Sequence, residues 1–175
     1  MTHSSNLKLL KSADEIEKAV NHLAEQINRD FKDSTPLLIG VLRGTFIFMA
    51  DLVRKLTIEV EIDFIELRSY EEGTERSKHV QTIQGLNTNV KNRDIIIIED
   101  IVDTGHTINS LVSKLEQNEP TSIKVCALTS KPSRRVVKVK IHYLGFEVPN
   151  VFLIGYGLDF NQKYRNLPEL YYLEV

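Results

Sequence analysis

The run Ile95-Ile96-Ile97-Ile98, closed by acidic residues, leaves this chain few ways to fold. A short β-branched apolar run reads as a strand buried on both faces, as inside a parallel sheet. The run meets two adjacent carboxylates, Glu99 and Asp100. Burying both charges is very costly, so the strand is expected to end there and present them to solvent or to a ligand. After Ile101-Val102 comes Asp103-Thr104-Gly105-His106-Thr107, small and hydroxyl-rich, then a helix-like run from Ile108 to Leu115. Ligands of open α/β sheets bind at the carboxyl ends of the strands. A tight turn into a helix aims backbone N–H groups and a positive dipole end at one spot, which suits a phosphate. The local chemistry is therefore acidic groups beside a phosphate cradle.

A similar unit precedes it. Leu37 to Leu42 reads as a buried strand, Arg43-Gly44-Thr45 as a turn, and Phe46 to Leu56 as a helix. Arg43 there is either an anion-holding cation or a solvated helix-entry residue. Upstream, Ser12-Ala13-Asp14-Glu15 reads as a capping box. Ile16, Val20, Leu23, Ala24 and Ile27 come after it at helical spacing. Ile58 to Leu67 alternates apolar with acidic residues, as expected of a strand with Glu59, Glu61 and Asp63 on a wet face. The stretch from Arg68 to His79 has no apolar periodicity and reads as a long loop, of the kind that forms lids. Val80 to Ile83 suits a short return strand. Ser122 to Thr129, Ile141 to Phe146, Val151 to Tyr156 and the tail Leu170 to Leu173 are further strand candidates. The order predicts an α/β fold with a mostly parallel core. Right-handed crossovers place Arg43 and the Asp103 turn at one edge of the sheet.

Composition narrows the function. A chain of 175 residues is expected to form a single domain. The formal charge of -2 supplies no general field for nucleic acid or an anionic membrane. The basic stretch Lys131-Pro132-Ser133-Arg134-Arg135, with Lys138 and Lys140, lacks interleaved aromatics and by itself reads as solvated surface. No apolar run is long enough to span a bilayer, and the first residues lack the basic and apolar regions of a signal peptide. The lone cysteine, Cys126, lies in an apolar run and reads as a small buried hydrophobe. A reducing cytoplasm fits this.

The motif from Ile95 to Thr107 resembles the phosphoribosyl-pyrophosphate (PRPP) binding motif of the type I phosphoribosyltransferases. Leu42-Arg43-Gly44 resembles that family's pyrophosphate loop, and Ser69-Tyr70 the start of its mobile lid. Lys131 and the stretch from Gly145-Phe146-Glu147-Val148-Pro149 through Gly155-Tyr156-Gly157-Leu158-Asp159-Phe160-Asn161 to Arg165 are similar to the family's 6-oxopurine branch. The match runs in order from Leu37 to Arg165.

The resemblance implies a parallel core over about residues 35–160 and a small hood from about 1–15 and 145–175. It implies reaction of a free 6-oxopurine such as hypoxanthine or guanine with PRPP, giving the nucleoside monophosphate and pyrophosphate, with Mg2+. It also implies a homodimer or homotetramer. Glu99 and Asp100 would hold the ribose hydroxyls and a metal. Asp103 would be the general base, and Asp103, Thr104, Gly105, His106 and Thr107 would bind the 5′-phosphate and ribose. Arg43, Gly44, Ser69, Tyr70 and Arg165 would face pyrophosphate. Lys131, Phe152, Leu153 and Asp159 would meet the purine, with Asp159 also on metal. The family's pyrophosphate loop often has a cis peptide, here Leu42–Arg43.

Each residue has a plainer reading: Asp103 as a helix cap, Phe152 as core, Asp159 and Arg165 as a surface ion pair. Two positions depart from common relatives, with His106 and Arg43 standing where lysine is often found. A nucleotide-sensing regulator on the same fold is the alternative. No winged-helix or helix-turn-helix extension or strongly basic face accompanies this chain. A dinucleotide oxidoreductase is excluded, because no Gly-x-Gly-x-x-Gly opens the first helix.

Overall fold

The computed structural model describes residues 7–71 and 78–173, with the side chains of 68–84 outside that description. Strand β1 (Leu7–Lys11) leads into helix α1 (Ala13–Asp30). The expected capping box is present. Ser12 Oγ accepts the Glu15 N–H at 3.3 Å, and the Glu15 carboxylate accepts the Ser12 N–H at 3.0 Å. Next in the chain are β2 (Leu37–Leu42), α2 (Phe46–Val53), β3 (Glu61–Glu71), β4 (Lys78–Gln84), β5 (Asp94–Val102), α3 (His106–Glu116), β6 (Ser122–Ser130), β7 (Tyr143–Glu147), β8 (Phe152–Ile154) and β9 (Leu170–Leu173).

The main sheet has the order β4-β3-β2-β5-β6-β7. All its pairings are parallel except β3 with β4. Ile95 to Ile98 are fully buried and feed both faces. Ile96 and Ile98 join Leu38 and Leu128 under α1 and α2, whereas Ile95 and Ile97 join Leu37, Ile39 and Val125 under α3. So α2 and α3 leave the neighbouring strands β2 and β5 toward opposite faces. That divergence is a topological switch point, and it opens a crevice above the carboxyl ends of β2 and β5. A second, antiparallel sheet, β1-β9-β8, is the small hood, and Leu170 of β9 anchors it in the α1–α2 core.

Several expectations are corrected. Strand β5 does not stop at Glu99; it continues through both carboxylates to Val102. Glu99 pairs with Ala127, Ile101 pairs with Thr129, and Thr129 Oγ1 donates to the Asp100 carbonyl at 2.9 Å. The ladder bonds hold the backbone in the sheet while the two carboxyls lie buried.

Strand β3 starts at Glu61 rather than Ile58, because Ile58 and Val60 already pack on the α1–α2 core and Asn28 Oδ1 accepts the Thr57 N–H at 2.9 Å. Asp63 is not on a wet face. It is buried and accepts N–H bonds from Phe64, Asn87 and Thr88, while Ile62 is exposed.

The stretch from Arg68 is not a loop throughout. It continues β3, pairing Ser69 with Val80 and Tyr70 with His79. The cross-strand ladder forms this hairpin, and the sequence from Arg68 to His79 carries no hydrophobic periodicity that could report it. Helix α2 ends at Val53, short of Leu56.

Candidate active site

The crevice is built from the ends of β2, β5 and β6 and from the chain after β8. At the end of β2 the Leu42–Arg43 peptide is cis. Thr45, fully buried, ties the turn after it to β5 through Oγ1 and the Ile98 carbonyl, 3.4 Å apart. Gly44 has no room for a side chain, since a Cβ there would lie 1.5 Å from Asp100 Oδ2. On the other loop a Cβ on Gly157 would lie 2.0 Å from the Gly44 carbonyl oxygen, and Gly157 has φ +99°. The Asp100 carboxylate, the Gly44 backbone and the Gly157 backbone are therefore stacked in direct contact. Arg165 fastens the far side, donating from Nη1 to the Gly157 carbonyl at 2.7 Å and pairing through Nη2 with Asp159 Oδ1 at 2.8 Å. Arg43, Gly44, Glu66, Asp100, Asp159 and Arg165 together line a cleft of ≈ 330 Å³. Arg43 Nε is 3.3 Å from Glu66 Oε1.

On the other side of β5, a smaller cleft of ≈ 70 Å³ is lined by Glu99, Asp103, Thr104, Gly105 and Thr107. That volume is roughly the share of two waters, enough for one compact anion. Gly105, at φ +91°, is the N-cap of α3 and carries no side-chain cap. The first N–H groups of α3 thus lack intrahelical partners and remain available to an anion. Asp103 does not cap this helix; its carboxylate is engaged by Arg134. His106 opens α3 but does not line the cleft.

Glu99 and Asp100 are both buried. Burial, and then the charge of Asp100, pushes the Glu99 carboxyl well above the usual range. Burial also raises Asp100, against hydrogen bonds from Glu99 and the Ile101 N–H and against the charge of Arg165. Among the described residues Glu99 Oε2 is buried with no hydrogen-bond partner. Such an atom calls for a donor or a cation. No group of three or more carboxylate, His or Cys side chains forms a ready-made metal cage among the described residues. Mg2+ does not need one, because it characteristically binds one or two carboxylates plus substrate phosphates and water. Asp100 and Asp159 on one cleft, with Glu99 close by, fit that donor set.

Lys131 comes directly after β6 and is 8% exposed, so the plain reading of a solvated lysine fails for it. Burial holds its ammonium below the usual lysine range, and the charge of Asp103 works the other way. Phe152 on β8 is 48% exposed, not core, and packs edge-on to Phe160 at 5.6 Å between ring centroids. Leu153 is buried and pairs with Tyr172 in the hood. The side chains of Ser69 and Tyr70 lie outside the described residues. A larger cavity, ≈ 660 Å³, is elsewhere, between α1, α2 and Tyr156. Its charged groups pair with one another, Arg54 with Asp51 and Lys55 with Glu17.

Sequence reasoning gave no role to Thr45, Thr129 or Gly157, the first two of which hold the crevice together through hydroxyl bonds to β5 carbonyls and the third through close backbone contact. Only the Gly-x-Gly spacing of Gly155 and Gly157 hinted at the last.

A parallel sheet with a phosphate-type turn and paired carboxylates at its switch point defines a nucleotide-handling transferase class, and the comparisons agree. Residues 7–161 match the phosphoribosyl transferase domain family. A hypoxanthine-guanine phosphoribosyltransferase of Bacillus subtilis is 44% identical over 161 residues, covering 92% of this chain and 89% of that protein. A crystal structure of a hypoxanthine-guanine phosphoribosyltransferase from Bacillus anthracis superposes with TM-score 0.92 at 38% identity, covering 95% and 98% of the two chains. The hypoxanthine phosphoribosyltransferase of Trypanosoma cruzi gives TM-score 0.92 at 33% identity, covering 99% and 94%. The chain belongs to the phosphoribosyltransferase family, within its hypoxanthine-guanine group.

Proposed function

We propose that this chain transfers the 5-phosphoribosyl group of PRPP to hypoxanthine or guanine, giving IMP or GMP and pyrophosphate, as in purine salvage. The observation that carries the reading is the pairing of two clefts across one strand end, one acidic and cationic, the other an uncapped helix start.

Breaking the ribose–pyrophosphate bond builds positive charge at the anomeric carbon and negative charge on the leaving group. Fixed charges placed for that distribution lower the barrier. In this reading the turn Asp103, Thr104, Gly105, His106, Thr107 grips the 5′-phosphate. Glu99 and Asp100 bind the ribose hydroxyls, and Arg43, Gly44 and Arg165 hold pyrophosphate. Mg2+, held by Asp100, Asp159 and Glu99, would neutralise phosphate charge. Phe152 stacks on the purine and Leu153 meets its exocyclic edge through backbone. Lys131 donates to O6, and Asp103 takes the proton from N7. A 6-amino purine would set a donor against the Lys131 donor, which disfavours adenine. Ser69 and Tyr70 close over the site and exclude water. The reading extends to a homodimer or homotetramer, and to the cytoplasm, which the buried free thiol of Cys126 suits.

Purified protein with PRPP, hypoxanthine and Mg2+ should release pyrophosphate and form IMP, and excess chelator should stop it. No product from hypoxanthine, guanine or xanthine would overturn the proposal.

A further inference from the structure

We infer that Arg134 is a positioning residue for Asp103, holding one carboxylate oxygen so that the other faces the purine. The inference rests on the reading of Asp103 as the base. Arg134 Nε lies 3.2 Å from Asp103 Oδ1. Alone, a half-exposed ion pair would carry little weight. This one is built on a fixed support.

Arg134 ends the 3-10 turn Pro132–Arg134, which closes through the Arg134 N–H to the Lys131 carbonyl and the Arg135 N–H to the Pro132 carbonyl, each at 3.1 Å. The same segment is clipped to the end of β5. The Lys131 N–H donates to the Val102 carbonyl at 3.0 Å, and the Val136 and Val137 N–H groups both donate to the Thr104 carbonyl at 3.0 Å. Arg135 Nη2 adds bonds to the Val102 carbonyl at 3.1 Å and to Ser130 Oγ at 2.7 Å. Even Gly105 is covered, since a Cβ there would meet the Val137 carbonyl oxygen at 2.6 Å. The carbonyls on both sides of Asp103 are thus tied to the segment that carries Arg134. Its guanidinium is delivered to the carboxylate by backbone geometry.

The chemistry needs this. As the purine N9 electron pair forms the bond to the anomeric carbon, the pair of the C–O bond leaves with pyrophosphate. The N7–H bond then gives its proton to Asp103 and its electrons to the imidazole ring. A carboxylate free to rotate offers that proton a moving target, whereas one anchored through Oδ1 presents Oδ2. Asp103 follows directly on β5, which carries the buried carboxylates Glu99 and Asp100. Lys131 and Arg135 face it from the same side as Arg134, and His106 lies beyond it on the phosphate turn.

The test compares the parent with Arg134→Ala, Arg134→Lys, Asp103→Asn and the Asp103→Asn/Arg134→Ala double variant. Initial rates of IMP formation are measured from about pH 5 to about pH 9. Arg134→Ala should lower kcat about tenfold across that range and leave the KM for PRPP within about twofold. Arg134→Lys should restore most of the lost kcat. In the Asp103→Asn background the loss of Arg134 should add nothing. An Arg134→Ala profile that overlays the parent, or a full tenfold loss on top of Asp103→Asn, overturns the inference alone. Asp103→Asn at the parent's rate overturns the base assignment and this inference with it. A parent that forms no nucleotide overturns the proposed function instead.

Discussion

At the scale of single residues, the tightest constraint is steric. Gly44→Ala would drive a methyl into the Asp100 carboxylate. Displacing a buried carboxylate is expected to cost about 2 kcal/mol or more of stability. It should also remove nearly all PRPP turnover; urea unfolding and initial rates check both. Asp103→Asn should lower kcat by about 10²-fold or more while leaving the fold intact by circular dichroism. That acidic groups would stand beside a phosphate-type turn was legible from residue type and position after the isoleucine run. The burial of Glu99 and Asp100 was not, because a pair of charges next to apolar residues reads as a strand end. Only the ladder to β6 and the Thr129 hydroxyl explain why the strand goes on. Lys131 was likewise hidden within a run of surface-like cations, since the strand end that buries it is a tertiary feature.

Among the elements, α1 and β7 offer cleaner tests. Ser12→Ala removes one half of the α1 capping box and should destabilise by about 1 kcal/mol, with kinetic constants unchanged, as denaturant melts and steady-state assays would record. His142, just before β7, accepts the Val125 N–H on Nδ1 at 3.0 Å and therefore serves as a neutral ring. Burial first, then Lys140 and Lys124, holds its pKa below the usual 6.5. The folded state then disfavours the proton that the unfolded chain takes up. This contribution is present above about pH 6.5 and is lost as pH falls toward the folded-state value. His142→Asn keeps an acceptor without the titration, so its unfolding midpoint should change less between about pH 7.5 and about pH 5.5 than the parent's. Helix α1 was readable from periodicity, and β2 and the start of β5 from unbroken apolar runs. The hairpin of β3 and β4 was not, because the stretch from Arg68 to His79 carries no apolar periodicity.

For the molecule as a whole, the hood and the main sheet share one hydrophobic core. Leu170, fully buried on β9, sits in the core shared by α1, α2 and β5. Leu170→Ala should cost about 2–5 kcal/mol. It should also raise the KM for hypoxanthine more than that for PRPP, since β9 carries β8 and with it Phe152 and Leu153; thermal melts and two-substrate kinetics separate these effects. The mostly parallel core and the shared edge of Arg43 and Asp103 came from the alternation of strands and helices. The interlocking of loops distant in the chain did not. The contact of Gly157 on Gly44 on Asp100 shows what that means for anyone redesigning this molecule. The gap between the Asp100 carboxylate and Arg165 is gauged by two thicknesses of bare main chain. Pocket dimensions on that side cannot be tuned by swapping side chains, and widening them would require rebuilding both loops together.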